Sequence, residues 1–229
     1  SPLADTMSNV TKTLTKKKVL FIGDSITLGR TWSGKKAAVS YPERISQITG
    51  IKYTNASVVG STIAKKSNSD SKSMVGRTAS KVKLTGYNLI WIAGGTNDYA
   101  KNIKIGKISD TSQKTFYGAL NTIFKRIKSK NKKAKVIVMS PIYRLRVDSY
   151  DGKAGYKVKN KAGHTLNDYA KALKKIAKKY KATYWDGSKK SSVTADNAYT
   201  TLYDGLHLTE EGYIALGDAA SAAVKKALK

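Results

Sequence analysis

Lys18-Val19-Leu20-Phe21-Ile22-Gly23-Asp24-Ser25 is the stretch from which the fold is read. An uninterrupted apolar run stopped by a glycine is the pattern of a β-strand buried on both faces. Comparable runs follow at Ile51-Lys52-Tyr53-Thr54, Leu89-Ile90-Trp91-Ile92-Ala93, Val136-Ile137-Val138-Met139 and Ala182-Thr183-Tyr184-Trp185. Between them apolar residues recur at helical steps. Phe116, Leu120, Ile123, Phe124 and Ile127 form one such face, and Leu166, Tyr169, Leu173, Ile176, Ala177 and Tyr180 another, with Thr165 placed to cap. Tyr213, Leu216, Ala220, Val224 and Ala227 make a final helix. Buried strands alternating with helices predict an α/β domain with a central parallel sheet of about five strands, covered on both faces. Sites in such sheets gather at the carboxyl ends of the strands. Ser25 and Asn97 both fall just past such ends.

The chain has 229 residues, a length that fits one large domain. Residues 1–17 are polar and read as a flexible N-terminal arm, leaving 18–229 as the domain. Lys+Arg number 43 against Asp+Glu 15, a formal charge of +28. Such an excess points to a polyanionic neighbourhood. Lysines lie on nearly every segment instead of being interleaved with aromatics on one face, which argues against specific nucleic-acid binding. There is no cysteine, and two histidines are too few for a His-rich metal site. No stretch is long and apolar enough to span a bilayer. Ser1-Pro2-Leu3-Ala4-Asp5 lacks the pattern of a signal peptide, and such a start fits a processed secreted protein and a trimmed chain alike. The basic charge sets the expectation of a secreted, cell-surface or cell-wall-associated location, with any signal peptide outside this chain.

Four short motifs carry the chemistry. Ser25 sits where a strand turns into a helix, able to expose its hydroxyl and offer its N–H to a developing oxyanion. Read alone it is more often a capping serine at a strand-to-helix turn than a nucleophile. Asp204-Gly205-Leu206-His207 places a carboxylate three residues before a histidine, close enough to orient one ring nitrogen while the other faces a nucleophile. His164 has no carboxylate so spaced and reads as structural. Within Gly94-Gly95-Thr96-Asn97-Asp98, Asn97 is a candidate amide donor and Asp98 a brace for the loop. Gly60 is a candidate for a second backbone donor.

In this order the blocks resemble the SGNH hydrolases, also called the GDSL esterase/lipase family, over about residues 18–228. The resemblance implies a flavodoxin-like, three-layer α/β/α sandwich and a Ser25–His207–Asp204 triad. It also implies an oxyanion hole from the Ser25 and Gly60 N–H groups and the Asn97 amide. No metal or organic cofactor is implied. The block Asn55-Ala56-Ser57-Val58-Val59-Gly60 departs from the family pattern, which often has a further glycine near position 57, and leaves Ser61 as the alternative donor.

The long segment 141–163 carries Tyr143, Arg144, Arg146, Tyr150 and Tyr156. Tyrosines there suit a sugar-like substrate and the arginines an anionic one. With Asp24, the residues Tyr143, Arg144 and Arg146 form the candidate substrate-binding set. The expected activity is hydrolysis of short acyl esters, acetyl above all, on an extracellular glycan or cell-wall polymer held by the basic surface. The alternatives are an O-acyltransferase on the same triad and a non-catalytic basic wall-binding protein.

Overall fold

Along β1 (Lys18–Ile22) the side chains alternate between two apolar layers. Leu20 and Ile22 enter one core, Val19 and Phe21 the other. In β3 (Leu89–Ala93), Ile90 and Ile92 join the first core, and Leu89, Trp91 and Ala93 join the second. This two-residue period explains why both strands read as continuous apolar runs, since each face meets a helical layer. The computed structural model describes residues 12–145 and 157–229. Its sheet is entirely parallel, with strand order β2-β1-β3-β4-β5, where β2 is Lys52–Asn55, β4 Lys135–Met139 and β5 Thr183–Trp185. That is the flavodoxin-like order, whose direction reverses between β1 and β3.

The described helices are α1 (Ser25–Leu28), α2 (Tyr41–Thr49), α3 (Met74–Arg77), α4 (Thr96–Ala100), α5 (Phe116–Lys130), α6 (Leu166–Lys179), α7 (Gly187–Lys190), α8 (Ala198–Thr201) and α9 (Glu210–Ala227). The periodicity anticipated α5, α6 and α9. Thr165 caps α6 in a capping box with Asp168, and Thr209 caps α9 ahead of Glu210 and Glu211. The four- and five-residue helices α1, α3, α4, α7 and α8 are too short to show a period. Helices α5 and α6 cover the first face of the sheet, and α2 and α9 cover the second.

Of the expected N-terminal arm, residues 1–11 lie outside the described residues. Leu14 is buried in the second core, and its N–H donates to the Thr49 carbonyl at 2.9 Å. Among the described residues no helix is long and apolar enough to cross a membrane.

The α2–α9 contact depends on one close approach. A Cβ on Gly217 would lie 2.5 Å from Arg44 Cβ and 3.1 Å from the Tyr41 carbonyl oxygen. Beside it, Arg44 Nε donates to Asp218 Oδ1 at 2.6 Å. Gly217→Val is therefore expected to push the helices apart and cost about 1–3 kcal/mol, read as a lower urea midpoint with the slope unchanged.

Candidate active site

Because β1 and β3 pair in register, Ile22 opposite Ile92, the segments leaving their carboxyl ends lie side by side. The first is Gly23-Asp24-Ser25. Asp24 is extended and caps α1, its Oδ1 accepting the Ile26 N–H at 2.9 Å. Ser25 follows as the first residue of α1, where an N–H has no intrahelical acceptor. Its side chain is buried from bulk water at one end and meets His207 at the other: Ser25 Oγ lies 2.8 Å from His207 Nε2.

His207 comes from a closed loop. Leu202 and Leu208 pair as an antiparallel bridge, and the Tyr203 N–H donates to the His207 carbonyl at 2.9 Å. Gly205, at φ +81°, makes the tight turn inside that loop, a conformation that side chains resist. Asp204 then folds back. Its Oδ1 accepts from the N–H of Leu206 at 3.0 Å and of His207 at 2.7 Å, and its Oδ2 meets His207 Nδ1 at 2.7 Å. Partial burial acts to raise the Asp204 pKa, but the hydrogen bonds from the His207 ring and from the two N–H groups outweigh it and hold the carboxyl at about 2. An ionised Asp204 only accepts, so Nδ1 carries the proton; in the neutral ring Nε2 is then the acceptor for the Ser25 hydroxyl.

The segment after β3 supplies Asn97, whose Nδ2 donates to the Ser61 carbonyl at 3.0 Å. A side-chain amide has two N–H groups, so this tether fixes the amide and leaves one donor. The Ser61 N–H is engaged by the Val58 carbonyl at 3.1 Å, which removes Ser61 as the alternative backbone donor. Gly60 is exposed, at φ +74°. Asp98 is fully buried and braces the neighbouring loop, its two oxygens accepting from the N–H of Ile63 at 2.9 Å and Ala64 at 3.1 Å. Burial raises its pKa to about 7 against those two N–H groups. Burial likewise raises Asp24 to about 6, opposed by the Ile26 N–H and the nearby His207 and Arg77.

The structure buries two of the expected substrate-binding residues. Arg144 is 1% exposed, with Nη1 donating to the Thr96 carbonyl at 3.0 Å and Thr96 Oγ1 at 2.7 Å, and with its guanidinium over the Tyr99 ring. It braces the start of α4 from inside and presents no charge to a substrate. Asp24 is also buried, its carboxylate held as a helix cap. Tyr143 is half-buried against the second core. Arg146, with Tyr150 and Tyr156, lies outside the described residues. His164 stands apart, its Nε2 facing the Ile105 N–H at 3.4 Å and its ring edge-on to Tyr169.

One residue escapes a reading by motif. Arg77, buried on α3, donates from Nη1 to Ser61 Oγ at 2.7 Å and to the Lys72 carbonyl. From Nη2 it donates to the carbonyls of Ala56 at 2.9 Å and Gly23 at 3.2 Å. It thereby joins the turn that carries Ser25 to the loop that holds Asn97. The available signal is its type: six arginines stand among 43 basic residues, and a planar fork does what an ammonium cannot. A cavity of about 20 Å³ lies beside the turns that carry Ser25 and Asn97, lined by Asp24, Thr27, Gly94, Met139, Pro141 and Ile142 among others. That is room for about one water. Among the described residues no group of three His, Asp or Glu side chains could hold a metal ion.

The GDSL-like Lipase/Acylhydrolase family matches residues 21–215. No curated protein matches in sequence. Among solved structures the chain is similar to a Lactobacillus plantarum protein, at 22% identity and TM-score 0.76, covering 92% of this chain and 97% of that one. It is similar also to the aryl esterase of M. smegmatis, at 18% identity and TM-score 0.67, covering 93% and 100%. A carbohydrate acetylesterase family member from Sinorhizobium meliloti stands at 18% identity and TM-score 0.65, covering 93% and 99%. At these identities the structures establish a shared fold, and the family match goes further. The chain belongs to the GDSL-like Lipase/Acylhydrolase family and is a serine ester hydrolase.

Two outcomes follow from the geometry. The Asp204 pKa is lower folded than its ordinary 3.8, so its contribution to stability is present above about pH 4 and is lost as pH falls through about 2. Asp24 and Asp98, both raised, run the opposite way, favouring the fold below their ordinary pKa and losing that advantage as pH rises through about 6 and 7. The difference in Tm between wild type and Asp204→Asn isolates the first effect: it should be largest near neutral pH and shrink below pH ~3. Arg77→Met leaves buried carbonyls without a donor. It should lose about 1–3 kcal/mol in chemical denaturation and lower kcat in the fraction that stays folded.

Proposed function

We propose that the chain removes short acyl groups, acetyl in particular, from an extracellular glycan or cell-wall polymer, through a Ser25–His207–Asp204 triad and an acyl-enzyme. The observation that carries this reading is the unbroken relay from Ser25 Oγ through His207 to Asp204, at 2.8 and 2.7 Å. As Ser25 Oγ attacks the ester carbonyl carbon, its proton passes to His207 Nε2, and Asp204 stabilises the imidazolium. The carbonyl oxygen becomes an oxyanion met by the Ser25 and Gly60 N–H groups and the second N–H of Asn97. Collapse breaks the bond to the leaving alkoxide, which takes the proton from His207. Water then gives a proton to His207 and attacks the acyl-enzyme, releasing the acid and restoring Ser25.

Exposed aromatic side chains support a sugar as the carrier of the acyl group. Large aromatics are exposed on segments next to the relay: Tyr203 (51%), hydrogen-bonded through its backbone to His207; Tyr199 (66%) on α8; and Trp32 (63%), shortly after α1. Flat apolar rings in water suit the faces of sugars. The likeness to a carbohydrate acetylesterase family member agrees with this choice, and the charge of +28 supports retention on an anionic polymer.

A chromogenic ester series from acetyl to octanoyl tests the reading. Acetyl should be turned over fastest, with turnover abolished in Ser25→Ala. A preference for octanoyl, or activity surviving that substitution, would overturn it. Asn97→Ala should lower kcat by about 100- to 1,000-fold, with KM changed far less, because the lost hydrogen bond forms to the transition state.

A further inference from the structure

The amino ends of the strands, at the opposite pole from Ser25, hold a second concavity. This cleft of about 240 Å³ is lined by Lys18, Lys52, Tyr53, Thr54, Thr85, Gly86 and Tyr87. The length of β1, five residues or roughly 16 Å at ~3.3 Å per residue, separates it from the relay.

Its walls have an unusual charge arrangement. Lys18 and Lys52 are register partners on neighbouring parallel strands, so their side chains leave the same sheet face side by side. Like charges so placed repel, and no ion pair among the described residues relieves either ammonium. No carboxylate lines the cleft. Glu43 is engaged on the other sheet face, where Tyr53 Oη donates to its Oε2 at 2.5 Å. Lys16, Lys81 and Lys83, all exposed, lie on the segments leading into the cleft. Hydroxyls complete the lining: Thr54 and Thr85 are exposed, and Tyr87 Oη reaches across to donate to Thr54 Oγ1 at 2.9 Å. Two adjacent cations without counter-charge, set among hydroxyls in a concave site, are the complement of an anion that also carries hydroxyls.

We propose that this cleft binds an anionic sugar unit of a polysaccharide. The carboxylate or sulfate of the unit bridges the Lys18 and Lys52 ammoniums, and its hydroxyls meet Thr54, Thr85 and Tyr87. Single-stranded nucleic acid is the poorer fit, because it needs aromatic faces free for stacking, whereas Tyr87 is half-buried and tied to Thr54 and Tyr53 packs on the second core. A polymer held here leaves the Ser25 pole open and raises the local concentration of its own chain at that pole.

The test is binding of fluorescently labelled polygalacturonate oligomers to the full chain carrying Ser25→Ala, so that affinity is read without turnover and apart from the esterase reading. Lys18→Gln with Lys52→Gln should raise Kd at least about tenfold. Lys174→Gln with Lys175→Gln, which removes the same charge from exposed positions on α6, should raise it less than about threefold. Thr85→Asp, which puts a carboxylate into the cleft and touches neither lysine, should weaken binding as the first pair does. In the Ser25 background, kcat/KM on a small acetyl ester should be unchanged by Lys18→Gln with Lys52→Gln. Equal weakening by both lysine pairs would overturn the proposal in favour of diffuse attraction. Displacement of the oligomer by single-stranded DNA at lower concentration than by unlabelled polygalacturonate would overturn it in favour of nucleic acid.

Discussion

The in-register parallel pairing of β1 with β3 is the constraint on which the rest of the structure depends. Val19 to Ile22 lie opposite Leu89 to Ile92, so the two central strands end at the same level. Their alternating side chains feed both cores, with Phe21 and Trp91 packed at a ring distance of 6.0 Å. Sliding one strand by a single residue would exchange its two apolar faces and separate the turns that follow. The turns that carry Ser25 and Asn97, distant along the chain, leave neighbouring strand ends because both strands are locked by burial on both sides.

Around that crossing, buried polar groups do the positioning that apolar contacts cannot. Asp98 gathers the N–H groups of Ile63 and Ala64, Arg144 holds Thr96, and Arg77 joins Gly23, Ala56, Ser61 and Lys72. Each makes a loop near the site continuous with the core. Burying such groups is costly unless their hydrogen bonds are made, and the partners here are mostly backbone groups of irregular segments. A loop of this kind needs a partner for its own N–H and C=O groups. The arginines and the aspartate satisfy the loops and are satisfied by them.

Charge is divided between the two uses of basic side chains. The guanidinium groups of Arg77 and Arg144 turn inward to satisfy loop groups, while the lysines of the cleft and of α6 stay at the surface. The surface excess is a general attraction to anions, screened by salt within about 10 Å at 0.1 M. It becomes a site only where geometry puts cations beside one another in a concavity, as Lys18 and Lys52 are.

The strands, the three long helices and their caps were legible along the chain. Apolar runs at Val19–Ile22 and Leu89–Ala93 and the steps of three and four through α5, α6 and α9 are local patterns imposed by backbone geometry. The four motifs were legible for the same reason: a glycine turn, or a carboxylate three residues before a histidine, is written in adjacent residues. The helix-capping of Asp24, the inward turn of Arg144 and the bridging by Arg77 were not. Arg144 lies in a segment whose tyrosines and arginines suit a substrate, and only the packing of that segment against α4 buries it. Whether a polar side chain meets solvent or backbone depends on which distant segments the strand order brings against it. Sequence by itself determined the elements and the chemistry at their ends; tertiary structure alone decided which polar groups hold the site and which can meet a ligand, because burial belongs to contacts between segments and not to any one of them.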